Sequence, residues 1–154
     1  MPIPRPYMPD GAKVAEVIQK YLEEIGMKTK IVTYEWATYL EKTGNGEAQF
    51  FLLGGTSDNG DPDNLLSLFF DENGSLNNTQ VDDADIQAWL KAARETTDED
   101  ERIEYYTKVQ NRLREIIPLV PLVHSTPIIG VSKKVQNYIP HPTESDDLSG
   151  VSLK

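Results

Sequence analysis

Residues 48–64, AQFFLLGGTSDNGDPDN, constrain the chain more than any other stretch. The run over 48–53 is apolar except for Gln49 and is bounded by Gly46 and Gly54. It is too short for a helix, and its continuous apolarity predicts a strand buried on both faces. Asp61-Pro62-Asp63 then has the chemistry of a helix start. Asp61 serves as N-cap, Pro62 brings a preset φ to the first position, and Asp63 faces the positive end of the dipole. A helix is expected over 63–70. Between the two lies a polar loop at the carboxyl end of a strand, where open α/β sheets bind ligands.

The flanking sequence supplies further elements. Alternating prolines hold residues 3–7 extended and restrict them to a short edge strand. Asp10 opens a helix on which Val14, Val17, Ile18, Tyr21, Leu22 and Ile25 recur at three- and four-residue spacing, with Gly26 at C′. Residues 28–34 alternate with β-branched enrichment and predict a strand; 35–41 predict a short helix with Trp36, Tyr39 and Leu40 inward. This order implies parallel strands joined by right-handed crossovers. After a loop over 70–82, Ile86, Trp89, Leu90 and Ala93 mark one helix. Thr97 and Asp100 read as the capping box of a second, whose stripe of Ile103, Tyr106, Val109 and Leu113 runs to Pro118. The two should form an antiparallel hairpin. Segments 119–125 and 128–131, interrupted by Pro121 and Pro127, read as edge or crossing strands. The tail beyond Lys133 shows no face to bury and is expected to be poorly anchored.

Composition narrows the function. A net charge of −10, from 15 basic and 25 acidic residues, argues against nucleic acid and anionic membranes as partners. At 154 residues a single domain with a real core is the default. No apolar run approaches the roughly 20 residues of a membrane span. Zero cysteines exclude disulfides and thiolate metal sites. Residues 1–6 lack the apolar region of a secretory signal, so either a cytoplasmic protein or a piece of something longer is expected. Neither catalysis nor a cofactor is expected: His124 and His141 are the only histidines, and neither Ser57 nor Ser125 lies in a nucleophile elbow. Asp58, Asp61 and Asp63 fail the calcium-loop pattern because Phe69 stands where the twelfth-position glutamate belongs. The glycine loop has no following lysine and is not a phosphate cradle.

If 3–7 and 48–53 are parallel strands, Arg5 and Asp58 reach the same edge. Strand neighbours lie about 4.8 Å apart, and the two ends of a dipeptide are separated by roughly 7 Å. A zwitterionic peptide fits such a pair; a plain surface ion pair is the alternative. Tyr7 is the aromatic nearest this edge, and Gly55, Thr56 and Ser57 form the adjoining loop.

Taken in order, Arg5-Pro6-Tyr7, residues 15–19 (AEVIQ), Ile25-Gly26, residues 31–36 (IVTYEW), Leu53-Gly54, residues 58–64 (DNGDPDN), Ile117-Pro118, His124-Ser125-Thr126 and residues 132–135 (SKKV) resemble the carboxy-terminal part of the family 5 extracellular solute-binding proteins, the peptide-binding components of ABC importers. The resemblance implies an α/β fold: one lobe of a type II periplasmic-binding-protein-like architecture, a mostly parallel sheet flanked by helices. It implies a substrate-binding lobe over 1–127, incomplete relative to the family, and a hinge and C-terminal tail over 128–154 that packs on the other lobe. Arg5 would take the carboxylate of a dipeptide or short peptide and Asp58 its ammonium. Partners would be the peptide, the other lobe and the ABC permease, in the periplasm or another extracytoplasmic space. Two departures stand out. Members often carry tryptophan where Gly55 stands, so a wall over the ligand is missing. Many also carry cysteines at positions resembling Asp71 and Asp82 or its neighbour, so that loop is expected to be untied here. The isolated chain is expected to bind peptide weakly; the competing expectation is a freestanding α/β interaction module that self-associates.

Overall fold

The computed structural model describes residues 8, 10–124, 126, 128–141, 143 and 145–154. The proline-flanked strand over 3–7, with Arg5 and Tyr7, lies outside the described residues, as do Ser125 and Pro127. Five helices and one short ladder follow in order: α1 (Gly11–Glu24), α2 (Trp36–Gly44), α3 (Pro62–Phe70), α4 (Ala84–Glu95), α5 (Glu99–Ile116), β1 (Val135–Gln136) and β2 (Ser152–Leu153).

The core belongs to α3, α4 and α5. Ile86, Leu90 and Ala93 of α4 and Val109 of α5 are fully buried, and Phe70, Val81 and Tyr106 close the cluster. Each large apolar side chain removed from water in this way contributes about 1.5–3 kcal/mol. The α4 face is the one its spacing predicts, and α4 and α5 pack as a hairpin. The α5 stripe differs from expectation at its start: Ile103 is 55% exposed, while Tyr105 packs against the core. Its cap is also displaced by one residue. Asp98, not Thr97, is the N-cap and accepts from the Glu101 N–H at 3.0 Å; Thr96 donates to Glu101 Oε2 at 2.7 Å. The aspartate supplies the same acceptor chemistry with a formal charge at the positive end of the dipole.

The amino-terminal half is covered more thinly. Val17, Tyr21 and Ile25 of α1 are exposed, and Val14, Ile18 and Leu22 only partly buried, so the stripe that predicts the helix faces largely open space. Gly26 has φ +85°, the left-handed value its C′ position calls for. In α2, Tyr39 is buried and stacks on Trp36 at a centroid distance of 5.9 Å.

Residues 28–34 and 48–53 form no ladder among the described residues, and Phe50 is 66% exposed. A strand is completed by hydrogen bonds to a neighbour, and apolar sequence alone does not provide one. At Leu52 a side chain takes the neighbour's place. The Tyr39 hydroxyl donates to the Leu52 carbonyl at 2.6 Å and accepts from the Leu52 N–H at 3.1 Å. Segment 119–124 likewise has no ladder partner among the described residues.

One loop expectation is corrected. The cysteine-free loop after α3 is tied without a disulfide. Asn77 Nδ2 donates to the Asp71 and Val81 carbonyls at 3.2 and 3.0 Å, and Asn77 Oδ1 accepts from the Val81 N–H at 3.0 Å. Gln87 of α4 adds bonds to the Phe70 carbonyl and the Glu72 N–H. The tail beyond Lys133 is closed on itself: Val135 pairs with Leu153 and Gln136 with Ser152 in an antiparallel ladder. Asp146 accepts from the Tyr138 hydroxyl and from the His141 N–H.

Candidate ligand-binding loop

The loop that carries Asp58 is set by the start of α3, and that start forms as its sequence dictates. Asp61 has extended backbone and caps the helix by accepting from the Asp63 N–H at 2.9 Å, and Pro62 occupies the first position. Short bonds fix the turn that leads in. Ser57 Oγ accepts from the Gly60 N–H and Asn59 Oδ1 from the Asp61 N–H, both at 2.9 Å. Asn64, in the first turn of α3, accepts from the Asp58 N–H at 3.1 Å through Oδ1. Gly60 has φ +75°, a conformation that a Cβ opposes.

This arrangement leaves the Asp58 side chain exposed, with no hydrogen-bond or ion-pair partner for its carboxylate among the described residues. The neighbouring aspartates contrast with it. Asp61 holds Arg102 of α5, whose Nη2 lies 2.9 Å from each of the two carboxylate oxygens. Asp71 pairs with Arg94 of α4 at 2.8 Å, and Arg94 also donates to Ser67 Oγ. Asp83 pairs with Arg112 of α5 at 2.8 Å. The Asp63 N–H, with Arg102, holds the Asp61 carboxyl below the usual carboxylate range. The Asn73 N–H and Arg94 do the same for Asp71, and chiefly Arg112 for Asp83. The three arginines are functional-looking residues that reading the sequence missed. Their partners lie 23 to 41 positions away, beyond any local pattern.

Of the six residues expected at the site, the structure places Gly55, Thr56, Ser57 and Asp58 on one loop; Arg5 and Tyr7 fall outside the described residues. Gly55, Thr56 and Ser57 line a cleft of about 620 Å³ together with Leu65 and Phe69 of α3, and segment 118–124 contributes to its lining. Ser57 thus has a structural duty as well as a place in the lining. Phe69 crowds Gly55: a Cβ there would meet Phe69 Cζ at 3.0 Å and Cε2 at 3.1 Å. That proximity suits a residue without a Cβ at this position.

Comparison with known proteins shows what this chain resembles. Residues 3–77 match the family described as "Bacterial extracellular solute-binding proteins, family 5 Middle". The match covers just under half of the chain and agrees with the resemblance read from the sequence. Among particular proteins, the chain is 38% identical over 99% of its length to the dipeptide-binding protein of Pseudomonas aeruginosa and 35% identical over its full length to that of Escherichia coli. The heme-binding protein A of Haemophilus influenzae is 33% identical over 99% of the chain. The crystal structure of a dipeptide-binding protein from a Pseudoalteromonas species, in complex with Met-Leu, superposes with a TM-score of 0.86 at 30% identity, over 99% of this chain and 31% of that one. The fold is therefore that of part of an α/β periplasmic peptide-binding protein, although the described residues are helix-rich with a small antiparallel ladder. The chain spans 29% of the length of the two dipeptide-binding relatives.

Proposed function

We propose that this chain supplies one wall of the peptide-binding cleft of an ABC importer's solute-binding component, acting in the periplasm or another extracytoplasmic space with its permease. Residues 1–127 form the ligand-holding part, with 128–154 as hinge and tail toward a second lobe. Asp58 receives the ammonium group of a dipeptide or short peptide, and Arg5, flanked by Tyr7, receives its carboxylate. Gly55, Thr56 and Ser57 line the cleft beside Asp58. The observation that carries this reading is the contrast among aspartates. Asp61, Asp71 and Asp83 are spoken for by arginines, while Asp58 sits on an internally bonded loop with its carboxylate presented to solvent.

A cleft with one wall leaves the ligand hydrated on its other side, so affinity in isolation is weak and closure by a second lobe is required for tight binding. Amide-shift titration of the chain with Ala-Leu tests this. Millimolar binding is expected at the amides of residues 55–60, and Asp58→Asn should weaken it about tenfold to a hundredfold, the range for a charge-assisted hydrogen bond. Equal affinity for N-acetyl-Ala-Leu would refute the ammonium role, and micromolar affinity of the isolated chain would refute the single wall.

A second reading has an observation in its favour. Phe50, Val123 and Ile128 are 66%, 71% and 97% exposed, apolar surface suited to self-association. Sedimentation decides between them: a dimer that buries these residues supports the interaction module, a monomer the single wall.

A further inference from the structure

The aspartate that presents itself to solvent is three residues from the one that Arg102 holds, and interleaved hydrogen bonds close the turn that contains both. The Asp61 N–H donates to Asn59 Oδ1, and the Gly60 N–H donates to Ser57 Oγ, so the turn that carries Asp58 moves with Asp61. Asp61 in turn is gripped by Arg102, whose anchorage is in the hairpin core. Its Nε donates to the Ala93 carbonyl of α4 at 3.2 Å, and its Nη2 donates to the Tyr106 hydroxyl at 2.9 Å. Tyr106 is only 4% exposed and Ala93 is fully buried, so both anchor points are fixed.

We infer that Arg102 is a positioning residue for ligand binding: through Asp61 it fixes the turn that aims Asp58, coupling the loop to the α4–α5 hairpin. This rests on the ligand role proposed above for Asp58. The helix start does not itself need Arg102, because the Asp61 side chain caps α3 through the Asp63 N–H whether or not the guanidinium is there. The carboxyl end of α3 does not need it either, since Arg94 holds Ser67 and Asp71. Removing Arg102 therefore cuts the tie between α5 and the turn before α3, while Arg94, which also lies 3.9 Å from Asp63 in the first turn, keeps the helix itself docked. Pre-organisation of this kind appears as affinity, because a loop already held in its binding geometry loses less freedom when ligand arrives.

The test is a double-substitution cycle on the full chain, read by amide-shift titration with Ala-Leu well below each variant's melting temperature. Arg102→Gln should weaken binding about tenfold, and Arg102→Lys, which keeps a cation, less than that. Tyr106→Phe, which removes one anchor and disturbs packing little, should weaken it a few-fold and provides a second route if Arg102→Gln folds poorly. Asp58→Asn with Arg102→Gln should bind about as weakly as Asp58→Asn alone, because once the aimed group is gone its aim no longer matters. A purely structural Arg102 would instead lower affinity independently of Asp58, and additive losses overturn the inference. So does unchanged affinity in Arg102→Gln when Asp58→Asn is impaired; in both cases the role of Asp58 survives. Unchanged affinity in Asp58→Asn, or no binding by the unsubstituted chain at millimolar dipeptide, overturns the role of Asp58 and this inference with it.

Discussion

Replacing Asn77 with alanine should unfasten the loop after α3. The substitution removes two donations to the Asp71 and Val81 carbonyls and the acceptor for the Val81 N–H, at 3.2, 3.0 and 3.0 Å, along with a longer bond from the Thr79 hydroxyl at 3.4 Å. Val81 is only 7% exposed, so its N–H loses a partner where water reaches poorly. At about 0.5–1.5 kcal/mol for each bond, with the longest one discounted, the cost is about 2–3 kcal/mol. That approaches the roughly 3 kcal/mol attributed to a disulfide closing a loop of about 15 residues. Urea unfolding followed by circular dichroism should show the midpoint falling with little change in slope, and the melting temperature should drop by about 4–8 °C. Asn77→Asp sharpens the test: it keeps the acceptor for Val81 but turns an oxygen toward two carbonyls, so it should cost at least as much at neutral pH. A loss below about 0.5 kcal/mol in Asn77→Ala would show that the loop is held by something other than this side chain.

The other predictions concern glycines and acid. A Cβ at Gly74 would lie 2.6 Å from the Leu68 carbonyl oxygen and closer still to that of Ser67, both backbone atoms that cannot move aside. Gly74→Ala should therefore destabilise by more than about 3 kcal/mol. Gly60→Ala meets no atom within 4 Å and pays only for its φ of +75°, about 1–2 kcal/mol; equal losses at the two sites by urea unfolding would refute the steric account. The carboxyls of Asp61, Asp71 and Asp83 titrate below their ordinary range in the folded chain, mainly through the Asp63 N–H, the Asn73 N–H and Arg112 respectively. A depressed folded pKa gives stability that is complete above the unfolded value of about 3.9 and is lost as pH falls through the folded values. Melting temperature should hold from neutrality to about pH 5 and decline below about pH 4; a flat profile down to pH 2 would refute the stabilisation of these three carboxylates by their N–H and arginine partners.

Much of the helical framework was legible in the sequence because its signals are local. Asp61-Pro62-Asp63 marks the start of α3 within three residues, and Ile86, Leu90 and Ala93 announce their common face by spacing alone. Where a rule is local but its occupant ambiguous, the reading slips by one position, as with Asp98 for Thr97. The segments over 28–34 and 48–53 show the opposite limit. Apolarity tells that such a segment seeks a neighbour, and the neighbour itself is written elsewhere. Arg94, Arg102 and Arg112 were illegible for a related reason: each looks like a solvated helix residue until the fold brings an aspartate from another element beneath it. At the candidate site, the loop from Gly55 to Asp58 could be read from its place between an apolar run and a helix cap. The internal bonds of Ser57, Asn59 and Asn64 could not, since amide and hydroxyl side chains have too many possible partners in a glycine-rich turn.

The phenol that clasps both main-chain groups of Leu52 has a consequence for assembly. A strand shifted by one residue presents every side chain to the wrong face, and an edge with free backbone can be entered at several offsets. With Leu52 already pinned, residues 48–53 have one fixed address, so any chain that comes to lie alongside them must dock in phase with the Tyr39 hydroxyl. The helix next door acts as the index mark from which the offset of any such neighbour is counted.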